Sequence, residues 1–105
     1  KDIELSQWLV SQPKLYKMPR VDLAKILGID IFRLDQLIEL SQASNQVKAV
    51  YLGSDWLRAK HYSMAKNLGY RKVPTFLREI EENKFSDSEI AHRLSEIKGG
   101  NRKKL

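Results

Sequence analysis

The sequence predicts a mainly α-helical fold, a compact bundle of five to six short helices with helix-turn-helix-like hairpins. Apolar residues recur at spacings of three and four along most of the chain, which is typical of amphipathic helices. Asp, Ser and Pro stand where these apolar stretches begin, and Gly stands where several of them end, as expected for helix termini. The length of 105 residues is that of one ordinary domain.

Three helices are predicted in residues 1–45. The residues expected to cap or end them are Asp2 and Pro13 for the first, Pro19 and Gly28 for the second, and Asp30 for the third. The residues expected to face the core are Leu5, Trp8 and Leu9, then Leu23, Ala24 and Leu27, then Leu34, Leu37 and Ile38. Each helix therefore needs a partner for its apolar stripe, and the three are expected to pack together.

The second half begins after a polar linker at residues 41–46. Residues 47–52, VKAVYL, are rich in β-branched and aromatic residues, which predicts a short strand, with a buried helix start as the alternative. Three more helices are expected to begin at Ser54 or Asp55, at Pro74, and at Ser86 with Glu89 in a capping box, and the last of them ends at Gly99-Gly100. Residues 1–98 are thus predicted to form one domain, with a basic tail at 99–105.

The charge is distributed unevenly between the two halves. The chain carries 19 Lys and Arg against 13 Asp and Glu, a net charge of +6. Residues 1–45 are neutral, whereas residues 56–78 contain six basic residues and no acidic one. A basic segment free of acids favours a polyanionic partner, because contacts with phosphates release counterions. The alternative is a solvated helix face that keeps the protein soluble.

Several function classes find no support in the sequence. The absence of cysteine excludes disulfide scaffolds and thiolate metal sites, and favours a reducing, cytoplasmic compartment. No segment approaches the roughly 18 apolar residues of a membrane span. His61 and His92 are not at metal-ligand spacings, and no glycine-rich phosphate loop or nucleophile elbow occurs. We therefore expect no catalysis, no cofactor, no metal, no small-molecule substrate and no membrane association.

Residues 20–40, RVDLAKILGIDIFRLDQLIEL, resemble the helix-turn-helix motif of small DNA-binding domains. The small residue Ala24 would lie where the two helices cross, and Gly28 would form the turn. The resemblance implies that the second helix reads DNA, with Arg33 and Gln36 as its base-contacting residues. Three acidic residues on the same helix oppose phosphate approach, and a helical hairpin used for packing or self-association is the alternative reading.

Residues 46–83 resemble half of a ribbon-helix-helix repressor. The similarity is clearest at Leu68–Glu79, LGYRKVPTFLRE. It implies that the predicted strand pairs with that of a second copy to read the major groove, and that the N-terminus of the second helix holds a phosphate. The sequence departs from the family at Pro74, where a serine is usual, and at Arg58 and His61, where apolar core residues are usual.

Together these features predict a DNA-binding protein, dimeric and contacting duplex DNA through a basic helical surface, either a transcriptional regulator or a mobile-element protein. The residues predicted to contact nucleic acid are Arg58, Lys60, Lys66, Arg71, Lys72, Thr75, Arg78, Arg33 and Gln36. Residues 69–75 are expected to offer Arg71, Lys72 and backbone amides to an anion. The alternatives are a protein–protein adaptor or oligomerisation domain, and a single-strand or RNA binder that stacks bases on its tyrosines or on Trp56.

Overall fold

Helices account for most of the chain in this computed structural model, which describes the backbone of residues 1–103 and the side chains of residues 1–97. The eight α-helices within that range, and one short 3₁₀ helix, are α1 (Asp2–Val10), α2 (Pro13–Tyr16), α3 (Arg20–Leu27), α4 (Ile31–Ser41), α5 (Asn45–Leu52), α6 (Ala59–Ala65), the 3₁₀ helix (Lys66–Leu68), α7 (Lys72–Asn83) and α8 (Asp87–Lys103). The described backbone contains no strand. The mainly helical prediction is confirmed, with more helices than the five or six expected.

Helix α4 lies at the centre of the packing. It contacts α1 and α3 on the N-terminal side of the chain and α6 on the C-terminal side. Its buried Leu34 and Ile38 belong to a small cluster with residues of α1 and α3, while Leu37 and Leu40 belong to the larger cluster formed mainly by α5–α8. The two halves of the sequence are therefore joined through the two sides of one helix.

Several predicted helix ends are confirmed in detail. Gly28 ends α3 in the left-handed conformation, with φ 70°, which glycine adopts without strain. The carboxylate of Asp30 accepts a hydrogen bond from the Phe32 amide at 2.7 Å and caps α4. At the start of α8, the Ser86 amide donates to Glu89 and the Glu89 amide donates to the Ser86 hydroxyl. This reciprocal pair is the predicted capping box.

The predicted strand at 47–52 is wrong, because these residues form α5. The Ser44 hydroxyl accepts a hydrogen bond from the Val47 amide at the start of this helix. Val47 lies three and four residues before Val50 and Tyr51, so all three lie on one face of the helix, and this face is buried. Burial of that face outweighs the modest β propensity of the same residues. The ribbon that a ribbon-helix-helix protein would use is accordingly absent from this segment.

Other boundaries also differ from the predictions: Asp2 lies inside α1 and does not cap it, and Pro13 begins α2 instead of a loop. The linker is shorter than 41–46, since only three residues separate α4 from α5. Ser54 caps a turn instead of α6, its hydroxyl accepting from the amides of Trp56 and Leu57. Helix α7 begins at Lys72, two residues before Pro74. Helix α8 runs through Gly99 and Gly100 to Lys103, so most of the predicted tail at 99–105 is helical and residues 104–105 lie outside the described range.

The buried face of α1 is rotated from the predicted one. Leu9 is buried as expected, but Trp8 is 44% exposed, and Ile3 and Ser6 are buried instead. The hydroxyl of Ser6 donates to the carbonyl oxygen of Leu37 at 2.7 Å, which joins α1 directly to α4. A buried serine with a backbone partner carries no apolar signal in the sequence, so the apolar pattern alone misplaces this face.

Candidate nucleic-acid interface

The six basic residues of segment 56–78 do not form one surface. The ammonium group of Lys60 lies 3.2 Å from the carboxylate of Asp87, and that of Lys66 pairs with Glu39. Both acids come from other parts of the sequence, 27 residues away in each case. Two of the six predicted cations are therefore partly neutralised within the molecule.

Three of the remaining cations lie around the N-terminal half of α7, with Arg71 as its N-cap residue. Arg71, Lys72 and Arg78 are exposed, and none of them takes part in the ion pairs formed by side chains of residues 1–97. With the exposed Thr75 they form what we call the α7 basic surface. Arg58 lies elsewhere, in a separate cavity of about 530 Å³ that it shares with Lys60.

The amphipathic pattern of α7 explains why these cations face solvent. Val73, Phe76, Leu77 and Ile80 are buried, so the opposite positions 71, 75 and 78 project outward at spacings of four and three residues. Beyond Arg78 the helix turns acidic with Glu79, Glu81 and Glu82, and the last two line a depression with Arg78 itself. The positive charge is thus confined to the N-terminal half of α7.

A depression of about 480 Å³ runs along this half of α7. The residues that line it are Gln46, Tyr70, Arg71, Pro74, Thr75 and Arg78. Lys72 lies on the other side of the helix start, in a second depression of about 370 Å³ with Arg71, Thr75 and the acidic Glu79. The two guanidinium groups, the hydroxyl of Thr75 and the amide of Gln46 are donors suited to phosphate oxygens.

The first two backbone amides of α7 are already engaged. The amides of Lys72 and Val73 both donate to the carbonyl oxygen of Gly69, at 3.1 Å each. Pro74, the next residue, has no N–H group. These two amides and Pro74 therefore offer no free donor to an anion, and the side chains are the main donors at the start of α7.

The hairpin of α3 and α4 has the local features that suggested a helix-turn-helix. Ala24 is 6% exposed, and the turn consists of Gly28, Ile29 and Asp30. The charged residues of α4, however, are used within the molecule: Arg33 pairs with Asp2, Asp35 with Arg20 and Glu39 with Lys66. Gln36 is half-buried.

Arg33 is consequently engaged within the molecule, unlike the cations of the α7 basic surface. The guanidinium of Arg33 donates to both carboxylate oxygens of Asp2, at 2.9 and 3.3 Å. A base contact by Arg33 would require this pair to break, whereas Arg71 and Arg78 have no such pair among the described side chains.

Two residues of this site, Gln46 and Tyr70, are not among those predicted to contact nucleic acid. The polar composition of residues 41–46 predicts a linker there, but Gln46 lies in α5. Ser44, the N-cap residue two positions earlier, is a signal for the start of this helix. Trp56, the other aromatic residue considered for base stacking, is stacked on His61 with ring centroids 4.9 Å apart, and the ammonium of Lys84 lies 5.2 Å from its ring. Of these two aromatic rings, only that of Tyr70 is largely exposed, at 68%.

His61 is a buried group next to the basic segment. Its Nδ1 accepts a hydrogen bond from the amide of Arg58 at 2.9 Å, which requires Nδ1 to be unprotonated. Burial, with the positive charges of Lys60 and Arg58, lowers the pKa of His61 below its ordinary 6.5, and the nearby carboxylates of Asp87 and Asp2 oppose this shift only in part. The folded protein therefore favours the neutral imidazole.

We expect the free energy of unfolding to fall as the pH is lowered below about 6.5. Below that pH the unfolded chain binds a proton at this histidine more readily than the folded chain does. The stability due to the neutral histidine is therefore fully present above about pH 6.5 and decreases below it. Urea unfolding between pH 7.5 and 5 measures the slope. The His61→Asn variant should lose most of it, while His92→Asn, at an exposed histidine, should keep it. An equal slope in wild type and His61→Asn would contradict the assignment.

Within the described residues, no group of three or more His, Cys, Asp and Glu residues could hold a metal ion. Over the same residues, no helix combines the length and apolar character that a membrane crossing requires. Comparisons of the chain with protein-family models, with curated proteins and with solved structures found no match.

Proposed function

We propose that this chain is a DNA-binding module that holds the phosphate backbone of duplex DNA on the α7 basic surface. The observation that carries the proposal is the grouping of Arg71, Lys72 and Arg78, exposed and free of ion pairs with the side chains of residues 1–97, on one half of one helix. Cations without protein partners keep their full charge for phosphates, and each contact adds affinity through counterion release.

The spacing of these cations suits a DNA strand. Arg71 and Arg78 are seven residues apart, about 10 Å along a helix axis. A strand winds around the duplex axis, so its successive phosphates lie farther apart in space than the axial rise of about 3.4 Å per nucleotide. Two guanidinium groups can therefore contact separate phosphates of one strand, with the hydroxyl of Thr75 between them.

The acidic end of α7 gives the proposed complex an orientation. Glu81 and Glu82 follow Arg78 within four residues. Phosphates would be repelled there, so the duplex is expected to lie across the N-terminal half of α7, away from its C-terminal turn. Contacts to phosphates position DNA without reading its sequence, and the proposal accordingly makes no statement about an operator.

Substitution of Arg71→Ala together with Lys72→Ala should weaken binding to duplex DNA at least tenfold, about 1.4 kcal/mol or more. Two phosphate contacts would be lost, so the dependence of affinity on salt should flatten by up to about two contacts. Fluorescence anisotropy with a labelled blunt duplex at three salt concentrations measures both quantities. Circular dichroism should first establish that the variant keeps its helical content.

The matched control is Lys14→Ala with Lys25→Ala, which removes the same charge from exposed positions outside the surface. Its affinity should stay within about twofold of the wild type. Arg33→Ala is unsuitable as a control because it also breaks the pair with Asp2. Equal losses in the two double variants would show that net charge, and not this surface, governs binding.

A protein–protein adaptor remains the second candidate, supported by exposed apolar side chains on the α3–α4 hairpin. Val21, Ile26 and Phe32 are 54, 59 and 72% exposed. Exposed apolar residues in one hairpin favour contact with a protein, including the second copy expected in a dimer. Failure of the wild type to bind duplex DNA even at low salt would reject the DNA proposal in favour of this one.

A further inference from the structure

Tyr70 stands exposed between two cavities at the edge of the α7 basic surface. Its ring lines the depression of about 480 Å³ with Arg71, Thr75 and Arg78. It also lines a neighbouring cavity of about 350 Å³, together with Tyr62 and Lys66 among others. Both volumes fall within the range of small-ligand sites in proteins.

Nothing in the described part of the molecule uses this side chain for folding. Tyr51, by comparison, is 1% exposed, donates to the carbonyl oxygen of Arg58 and accepts from the amide of Tyr62. The hydroxyl of Tyr70 takes part in none of the side-chain hydrogen bonds formed within residues 1–97, and its ring is 68% exposed. A large aromatic ring left in water is available to a ligand.

The position of Tyr70 is set by the turn that precedes α7. Gly69 has φ 105°, a conformation that residues with a side chain rarely adopt, and its carbonyl oxygen holds the first amides of α7. The ring therefore leaves the chain one residue before Arg71, at the end of the surface that carries the free cations.

An exposed aromatic ring beside arginine side chains is suited to stacking a nucleobase. Bases inside an intact duplex are already stacked on one another, so away from the duplex ends a flat ring can meet only the face of an unpaired base. An unpaired base next to a duplex would bring its phosphates to Arg71 and Arg78 while its face meets Tyr70.

We propose that Tyr70 is a base-stacking residue, which gives this surface a preference for DNA whose duplex continues into a single-stranded overhang. This inference rests on the proposed binding of duplex DNA to the α7 basic surface. It adds a specificity that phosphate contacts alone cannot provide, because phosphates are the same in paired and unpaired strands.

The experiment compares three labelled DNAs by fluorescence anisotropy: a blunt duplex, the same duplex with a four-nucleotide overhang, and the same overhang made of abasic nucleotides. The two overhangs carry equal phosphate charge, so their affinity ratio reports the bases alone. We expect the wild type to bind the base-containing overhang about tenfold more tightly than the abasic one, since stacking of a base on an aromatic ring adds affinity.

Three variants test the role of the ring. Tyr70→Phe should keep the ratio because the stacking face remains, whereas Tyr70→Leu should bring the ratio close to one. Arg71→Ala with Lys72→Ala should weaken binding to all three DNAs while the ratio is kept. Circular dichroism should establish that each variant is folded, which the exposure of Tyr70 leads us to expect.

The outcomes separate the two proposals. A wild-type ratio near one, with the blunt duplex still bound, would overturn base stacking and leave the proposed function standing. A ratio unchanged in Tyr70→Leu would also overturn it, because another group would then hold the base. Failure to bind any of the three DNAs would overturn the proposed function and this inference with it.

Discussion

Leu37→Ala is expected to lower the free energy of unfolding by about 2–5 kcal/mol. Leu37 is 1% exposed and lies on the face of α4 that belongs to the larger core cluster. The substitution removes buried methyl groups and leaves a cavity that the surrounding helices can fill only in part. Urea unfolding followed by circular dichroism measures the loss.

Ile26→Ala is the matched control, since Ile26 is 59% exposed on α3. Its free energy of unfolding should stay within about 0.5 kcal/mol of the wild type. If Leu37→Ala were no more destabilising than Ile26→Ala, the central position of α4 in the core would be contradicted.

Asp2→Ala is expected to lower the free energy of unfolding by about 3 kcal/mol. The carboxylate of Asp2 is 9% exposed, accepts from the guanidinium of Arg33 on α4, and accepts from the amide of Ala59 at the start of α6 at 2.8 Å. Its removal leaves a partly buried guanidinium and a buried amide without their partner. One carboxylate thus joins three helices, and its loss should loosen all three contacts.

The control for this variant is Asp35→Ala, which breaks the pair with Arg20. That pair is exposed, with 39 and 52% of the two side chains accessible, and should contribute less than about 1 kcal/mol. Urea unfolding at pH 7 measures both variants. Equal costs would mean that Asp2 acts as an ordinary surface charge.

The pH dependence gives a second measure of Asp2. Burial raises its pKa, but the bonds from Arg33 and Ala59 and the charges of Arg33 and Arg58 outweigh burial and hold the pKa below its ordinary 3.8. Because the folded pKa is the lower one, the stability due to Asp2 is present above about pH 4 and is lost as the pH falls below that value. The loss begins near pH 4 for Asp2 and near pH 6.5 for His61, so the two effects begin at different pH values.

Features that depend on neighbouring residues could be predicted from the sequence. Gly28 ends α3 because only a residue without a side chain adopts its positive φ without strain, and Asp30 caps α4 through an amide two residues away. Ser86 and Glu89 bond to each other across three residues. Leu34, Leu37 and Ile38 are expected to face the core by periodicity alone, and all three are buried, although Leu37 packs in a different cluster from the other two. Such interactions need no information beyond about one helical turn.

The segment at 47–52 could not be assigned in the same way, because its local preferences conflict. Its β-branched residues favour a strand, whereas the spacing of Val47, Val50 and Tyr51 also fits a helix. The conflict is resolved by contacts made elsewhere: Tyr51 bonds to the backbone of residues 58 and 62, and its neighbours pack into the core. Burial against distant residues exceeds a propensity difference of at most about 1 kcal/mol.

The candidate site also combines features set by the local sequence with features set by the tertiary structure. By itself the sequence determined that residues 56–78 are basic and free of acids, and that Arg71, Lys72, Thr75 and Arg78 lie near a helix start. Only the tertiary structure decided which of those cations have acidic partners, since Glu39 and Asp87 reach Lys66 and Lys60 across 27 residues of chain. Charge along a sequence is a sum over neighbours, whereas an ion pair depends on distance in space, and the fold alone sets that distance.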